Sequence, residues 1–298
     1  MILVTGANGR AGSAVVRAFA RRSEPVRALV RDPARASVFD RFPTVEVVTG
    51  DMLRPETLGP ALDGVDRVLV ISSAGPQMLE TQATFIDAAL AAGATLIVKF
   101  SGEDSIEGFD PERFRSTRSH EQIQRYLTAV TAAWTILRPS QFMEAYLEEA
   151  PAIAAAGELR LPLGATTLAP VAIDDVARVA HAVLTTDGHE GATYTMTGPE
   201  ALTMTDVAAN ITAAIGRTVR YVDVTPEEKA REWLDAGYPP ERAAAFSQLF
   251  AERHRLGRSC VHLDTHERFG VEPTTFAQFA RVHADLLRGD GTSGAPLA

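Results

Sequence analysis

Two side chains in this sequence could give a proton to an oxygen that is gaining negative charge. His120 stands at the start of SHEQIQRYL, and Lys99 ends the apolar run in IVKFSG. An imidazole titrates near ~6.5 when unperturbed, so it can donate at neutral pH. A lysine inside an apolar strand is costly to bury and takes a task or a partner, and Lys99 could hydrogen-bond a cofactor ribose or polarise the substrate. Hydride transfer to a carbonyl or quinone needs such a donor within hydrogen-bond reach as charge develops. The plainer alternatives stay open: a solvent-facing helix histidine for His120, and for Lys99 a structural pairing with Glu103 or Asp104. Cys260, His262 and His266 are metal-capable, and the histidines are four apart. RSCVHLDTHERF does not read as a helix, however, and no HExxH pattern occurs, so no metal is expected.

A donor of this kind has work only where a hydride is delivered. In ILVTGANGRAGSAVVRAFA an apolar strand runs into glycines at 6, 9 and 12 and then into an amphipathic helix. A tight turn, a backbone that meets a pyrophosphate with no Cβ between, and close helix-on-strand packing require that spacing. The free N–H groups at the helix start then face the phosphates. Thr5, Gly6, Asn8, Gly9, Arg10, Ala11 and Gly12 make up the expected contact stretch. Arg10 is either a second cation near phosphate or a solvated loop arginine.

The second strand ends Val30-Arg31-Asp32, where the ribose-reading group of such a site belongs. A guanidinium there pairs with a 2′-phosphate and selects NADP(H), whereas a carboxylate accepts from a 2′-OH and selects NAD(H). Asp32 precedes Pro33 and can cap the helix that starts there, so Arg31 is the expected reader and NADP(H) the preferred cofactor, with NAD(H) left open. Asp51 and Met52 follow the third strand, where a carboxylate and an apolar side chain can bracket adenine. Ser72 and Ser73 end the fourth strand and line the same groove.

The elements that must hold these residues follow from the apolar runs. Met1 to Thr5, Val26 to Val30, Val45 to Val48, Arg67 to Ile71, Ala94 to Phe100 and Trp134 to Leu137 are short and nearly continuous. They suit strands buried on both faces. Helical stretches, Ser13 to Arg22, Gln77 to Ala92 and Ser119 to Val130, lie between them. This alternation predicts an α/β fold, a doubly wound parallel sheet whose ligand sits beyond the carboxyl ends of its strands. After Pro139 the texture becomes helix-rich, with shorter apolar runs at Thr167 to Ile173, Thr193 to Met196 and Thr218 to Val224. The expected division is residues 1–140 for dinucleotide binding, 141–288 for a smaller substrate lobe interleaved with the end of the sheet, and 289–298 for a flexible tail. Asp174 and Asp175 read as the acidic start of a helix. Thr225 to His254 reads as a lid or interaction surface, with Trp233, Phe246 and Phe250 as its apolar contacts.

Composition narrows the class. The 298 residues carry 29 Lys plus Arg against 38 Asp plus Glu, a formal charge of −9, which leaves no global positive field for a nucleic acid. One cysteine excludes an intrachain disulfide framework. No apolar stretch approaches a membrane span, and MILVTGANGR has no basic region followed by a long apolar run. A cytoplasmic protein acting on a small molecule is expected, with the oligomeric state open and a homodimer compatible.

With Arg138-Pro139 and the following Phe142-Met143-Glu144, these features resemble the NmrA-like group of atypical short-chain dehydrogenases over nearly the whole chain. The matching stretches are VTGANGRAG, LVRDP, the GD after the third strand, and WTILRPSQFME. The resemblance implies a Rossmann fold, an NADPH-dependent reductase of quinones, enones or related conjugated acceptors, and a cofactor held or flanked by Gly6, Gly9, Gly12, Arg31, Arg138 and Pro139. Non-catalytic cofactor sensors share the group, and an isomerase or lyase on the same scaffold is a further alternative. His120 takes the position where isoflavone-type reductases carry a proposed catalytic lysine, and Gln124 stands where many relatives have glutamate. None of the five tyrosines has a lysine four residues later, so the Tyr-x-x-x-Lys pair of ordinary short-chain dehydrogenases is missing.

Overall fold

Short apolar runs with few polar interruptions become strands covered on both sides, and seven of them form one parallel sheet. The structure is a computed structural model describing residues 1–102, 108–131 and 133–290. In chain order the strands are β1 (Ile2–Val4), β2 (Val26–Val30), β3 (Val45–Thr49), β4 (Arg67–Val70), β5 (Leu96–Phe100), β6 (Trp134–Pro139), β7 (Glu158–Leu161), β8 (Thr167–Leu168), β9 (Ala192–Met196), β10 (Leu202–Thr203) and β11 (Arg220–Asp223). The main sheet runs β3-β2-β1-β4-β5-β6-β9, the Rossmann order with β9 added beside β6. Every residue of β5 is buried, Lys99 included.

The helices are α1 (Arg10–Ala20), α2 (Gly59–Leu62), α3 (Met78–Ala91), α4 (Arg115–Val130), α5 (Ala150–Ala156), α6 (Ile173–Thr185), α7 (Met204–Ile215), α8 (Pro226–Asp235), α9 (Pro240–Leu256), α10 (Asp264–Phe269), α11 (Phe276–Val282) and α12 (Ala284–Arg288). One face of the sheet carries α1 and α6, whose side chains Phe19 and His181 meet with ring centroids 4.6 Å apart. Apolar residues of α3 and α4, among them Phe85, Ile86, Ile123 and Leu127, share a core with strand residues Leu3, Val68, Val70 and Ile97. A separate core in the second half gathers Tyr146, Ile153, Trp233, Phe250 and Phe276. Two small sheets border it, β7 parallel to β11 and β8 antiparallel to β10.

Three local expectations are corrected. Helix α1 begins at Arg10 rather than Ser13, so its N-terminus lies within the glycine loop. Of the run Thr167 to Ile173 only Thr167–Leu168 is strand. Pro170 offers no N–H to a ladder, and Ile173 already opens α6. RSCVHLDTHERF does contain a helix, α10. Its acids, Asp264 and Glu267, lie in the first turn and its bases, His266 and Arg268, in the last, an order that suits the helix dipole. Gly270 ends it in the left-handed conformation, φ +60°. Among the described residues no helix is long and apolar enough to cross a membrane.

Candidate functional site

A cleft of about 1080 Å³ opens beyond the carboxyl ends of the main strands, between the glycine loop on one side and α9 on the other. It exceeds the roughly 300–1,000 Å³ usual for one small ligand, so it has room for a dinucleotide and an acceptor together. Gly6, Asn8, Gly9, Arg10, Ala11 and Gly12 form its first wall. Gly6 sits at φ +58°, and a Cβ there would lie 2.9 Å from the Ile71 carbonyl oxygen. A Cβ on Gly12 would fall 2.3 Å from the Gly6 oxygen. The turn is closed by the Gly9 N–H donating to the Gly6 oxygen at 2.9 Å, and the first helical bond, Ser13 N–H to Gly9 O, is also 2.9 Å. No side chain caps α1 and no acid occupies its first turn. Its N-terminal N–H groups are therefore available to an anion. Beside them Asn8 Oδ1 is buried without a hydrogen-bond partner. A cradle that rejects Cβ atoms, next to an orphaned acceptor, fits a pyrophosphate and its ribose.

Past the end of β2 the cleft carries more positive charge than expected. Arg31 and Asp32 both line it, but Asp32 Oδ1 accepts from the Ala34 N–H at 3.0 Å and caps the 3₁₀ turn Pro33–Phe39. Arg35, on that turn, lines the same end and adds a second guanidinium. Sequence reasoning missed it, although one helical turn past Arg31 is the spacing at which two side chains converge. Asp51 Oδ1 accepts from the Leu53 N–H at 3.0 Å, and Met52 lines the wall while packing into the core beneath. Ser72 and Ser73 line the middle of the cleft, where Gln82 Nε2 donates to Ser72 Oγ at 2.9 Å.

Thr5, Lys99 and Arg138 stand behind the wall rather than in it. Thr5 is fully buried, and its hydroxyl donates to the Ile71 oxygen at 2.7 Å, bracing the loop that follows β4. Arg138 hands an Nη2 proton to Gln124 Oε1, while Gln124 Nε2 donates to Ser101 Oγ at 2.8 Å. Gln124 thus fastens α4 to the ends of β5 and β6. Burial lowers the Arg138 guanidinium from its ordinary value.

Lys99 is fully buried, and its Nζ lies 3.1 Å from Nδ1 of His120, the residue that reaches the cleft surface. The same ammonium also donates to the Phe100 carbonyl. An ammonium has only donors, so His120 Nδ1 accepts and the ring proton resides on Nε2. Burial first, then the positive charges of Lys99 and Arg138, hold the imidazole well below its usual value. The imidazole is therefore held in its neutral form, with Nε2–H as its donor. The pairing of Lys99 with Glu103 or Asp104 concerns residues outside those described.

The cleft is also bounded by Pro139, Phe142 and α9 residues including Phe246, Leu249 and Phe250. Phe142 and Phe100 lie 6.1 Å apart, centroid to centroid. Phe246 and Phe250 also pack on Trp233, which belongs to the lobe's core rather than the wall. Arg10 is ion-paired with Glu148, which also takes Arg242 at 3.2 Å and the Tyr238 hydroxyl at 2.9 Å. Glu148 and this link between the glycine loop and α9 had no signal in the linear pattern. Asp175 is buried, accepting from the Thr274 N–H at 2.7 Å and from Arg178 at 2.6 Å, so it ties distant segments rather than capping its own helix. Glu144, unexpectedly, does that capping: both its oxygens lie 3.2 Å from the Ile173 N. Cys260 is exposed and His266 is buried between the Thr197 and Val271 carbonyls, and among the described residues no metal-binding cluster forms.

Comparison with known proteins matches residues 1–280 to the model of the NmrA-like family. An NAD(P)H azoreductase of Xenophilus azovorans is 37% identical over 285 residues, 95% of this chain and 98% of its own. A (4-alkanoyl-5-oxo-2,5-dihydrofuran-3-yl)methyl phosphate reductase of Streptomyces griseus is also 37% identical, over 96% of this chain and 99% of its own. The NADPH-dependent quinone oxidoreductase of Escherichia coli, solved in complex with NADPH, superposes with a TM-score of 0.82 at 27% identity, covering 94% of this chain and 98% of that one.

Proposed function

The chain belongs to the NmrA-like family, and from that premise we propose that it is an NADPH-dependent reductase that delivers hydride to a quinone, enone or related conjugated acceptor, with His120 as the proton donor. Relatives similar over their full lengths are reductases of this kind. The observation that carries the assignment of His120 is its position: a neutral imidazole at the cleft surface with a buried ammonium 3.1 Å behind it. Gly6, Gly9, Gly12, Asn8 and the N-terminus of α1 would hold the pyrophosphate, and Arg31 with Arg35 the 2′-phosphate. NADPH, when bound, supplies the hydride.

The protein's own groups handle the proton. As negative charge grows on the acceptor oxygen, His120 Nε2–H donates to it, and the Lys99 ammonium returns a proton to Nδ1. The ring ends neutral with its proton on Nδ1, and it is reset when Nε2, at the cleft surface, takes a proton from solvent while Nδ1 returns its proton to the buried Lys99. Lys99 thus acts through His120 as a positioning and relay residue. Phe100, Phe142 and Phe246 offer aromatic faces to a planar ring and keep water from it. An open, aromatic-walled cleft with a donor at its surface favours turnover over a sensor, in which this space would be closed or featureless. The single cysteine and the reduced dinucleotide suit a cytoplasmic setting.

The test is NADPH oxidation with simple quinones by wild type and His120→Ala. Loss of one positioned donor is expected to lower kcat about a hundredfold with little change in NADPH affinity. Because the imidazole is already neutral, wild-type kcat is expected to stay flat from pH 6 to 8. A His120→Ala variant that keeps full kcat refutes the assignment.

A further inference from the structure

Resting on the dinucleotide site of that reductase reading, we infer that Gln82, steadied by Ser72, holds a hydroxyl of the cofactor's second ribose, the one that carries nicotinamide. Helix α3 turns five buried residues inward, Met78, Gln82, Phe85, Ile86 and Ala89, at the spacing of one apolar face. Four of them are apolar. Gln82 is the exception: it is 1% exposed, yet it borders the cleft. A glutamine in such a stripe is costly unless both ends of its amide are bonded. Gln82 Nε2 donates to Ser72 Oγ at 2.9 Å, whereas Oε1 is buried with no partner. Turning the amide over exchanges its ends and still leaves one of them unpaired. Among the described residues four other buried side-chain atoms lack a partner, on Asn8, Arg138, Tyr146 and Arg178. Of these residues only Asn8, in the glycine turn, also lines the cleft. A buried polar atom that the fold leaves unpaired beside a cleft is completed by what the cleft binds.

The order of the strands says which part of the ligand passes Gln82. Arg31 follows β2, the glycine turn follows β1 and Ser72 follows β4, and the sheet runs β2-β1-β4-β5. The turn and the end of β4 touch: the Thr5 N–H donates to the Leu69 oxygen at 3.0 Å, and a Cβ on Gly6 would lie 2.9 Å from the Ile71 oxygen. With the 2′-phosphate at Arg31 and Arg35 and the pyrophosphate on the turn, the next unit in that direction is the second ribose. Pyrophosphate oxygens only accept, so they do not complete Oε1. A ribose hydroxyl both donates and accepts, and it suits the amide whichever end meets it. A ribose fixed beside β4 restricts where the nicotinamide ring can lie relative to His120, the kind of orientation that hydride transfer requires.

Three ligands divide the dinucleotide. Adenosine 2′,5′-bisphosphate ends before the second ribose, 2′-phospho-ADP-ribose adds it, and NADP⁺ adds nicotinamide. Their binding to the full chain is measured by calorimetry for wild type and for Gln82→Met, which keeps the length of the side chain without its amide. The variant is expected to bind 2′-phospho-ADP-ribose and NADP⁺ each about tenfold more weakly, the scale of one hydrogen bond to an otherwise unpaired buried group, and the bisphosphate as wild type does. Without ligand the variant is expected to melt no lower than wild type, since a thioether replaces an unpaired amide among apolar residues. Gln82→Leu serves where the methionine variant fails to fold. Equal losses for all three ligands would place the contact in the adenosine half, and a loss confined to NADP⁺ would place it at the carboxamide. Either result overturns the inference, as does unchanged binding throughout. A wild-type chain that binds none of the three overturns the reductase reading itself, and the inference with it.

Discussion

The two ends of the cleft are built by different means. At the proposed pyrophosphate end the surface is backbone from one stretch, residues 6–12, and its shape depends on the absence of side chains at Gly6 and Gly12. At the proposed acceptor end it is side chains, His120 from α4, Phe142 after β6, and Phe246 and Arg253 from α9, brought together across more than 130 residues of chain. A surface made by omission fails abruptly when one methyl group is added. A surface made by many side chains loses function by degrees, and can change its substrate without disturbing the fold.

The largest expected effect tests the first half of that contrast. Gly12→Val would press a branched side chain against the Gly6 carbonyl, from which even a Cβ would be 2.3 Å away. NADPH binding, followed by the quenching or enhancement of its fluorescence, is expected to fall at least a hundredfold while far-UV circular dichroism stays native. Retained binding would mean that the pyrophosphate does not rest on this turn. Next in size is the ribose end, where side chains rather than backbone do the reading. Arg31→Ala and Arg35→Ala are each expected to weaken NADPH about tenfold, with little effect on NADH, as each removes a charge-assisted contact to the 2′-phosphate. Equal losses for the two dinucleotides would show that neither guanidinium reads that group.

The smallest effect concerns Glu144, which joins the two regions by capping α6 from the segment after β6. Burial is the main cause that raises its carboxyl to about 7, against hydrogen bonds that favour the charge. The unfolded chain ionises this group near ~4.5, so the folded state binds the extra proton between those values. The stabilisation is complete at low pH and is lost as pH climbs through 7. Glu144→Gln keeps an acceptor for Ile173 but does not titrate. Denaturant unfolding at pH 6 and pH 8 is expected to show wild type losing about 1 kcal/mol more than the variant over that interval. Parallel pH profiles would place the titration elsewhere.

The sheet and the glycine loop were legible because their signals are local. Strand β2 coincides with its apolar run, and the glycine spacing follows from a turn that closes within a few residues. Arg31 and the cap made by Asp32 were readable for the same reason. Lys99 and His120 could be named as the two groups most worth following. Their relation could not, since it arises from β5 and α4 meeting. The links from Glu144 to Ile173 and from Glu148 to Arg10 and Arg242 join carboxylates to partners far along the chain. A linear pattern carries no mark of them. Helix α10 is a different case: its acidic start, basic end and Gly270 were visible, and attention to the histidines obscured them.

The seventh strand has a consequence for how the molecule is made. Both β9 and α6, which complete the sheet and cover one of its faces, are encoded after the second lobe has begun. A ribosome therefore finishes β6 well before the strand that shields its edge, and α1 before its helical neighbour. During synthesis the nascent sheet has an open edge and a bare apolar flank, the condition under which chains pair with the wrong partner or recruit chaperones. A fragment cut near Pro139 would be left in that state permanently. The glycine loop thus owes its stable platform to residues translated some 180 positions later.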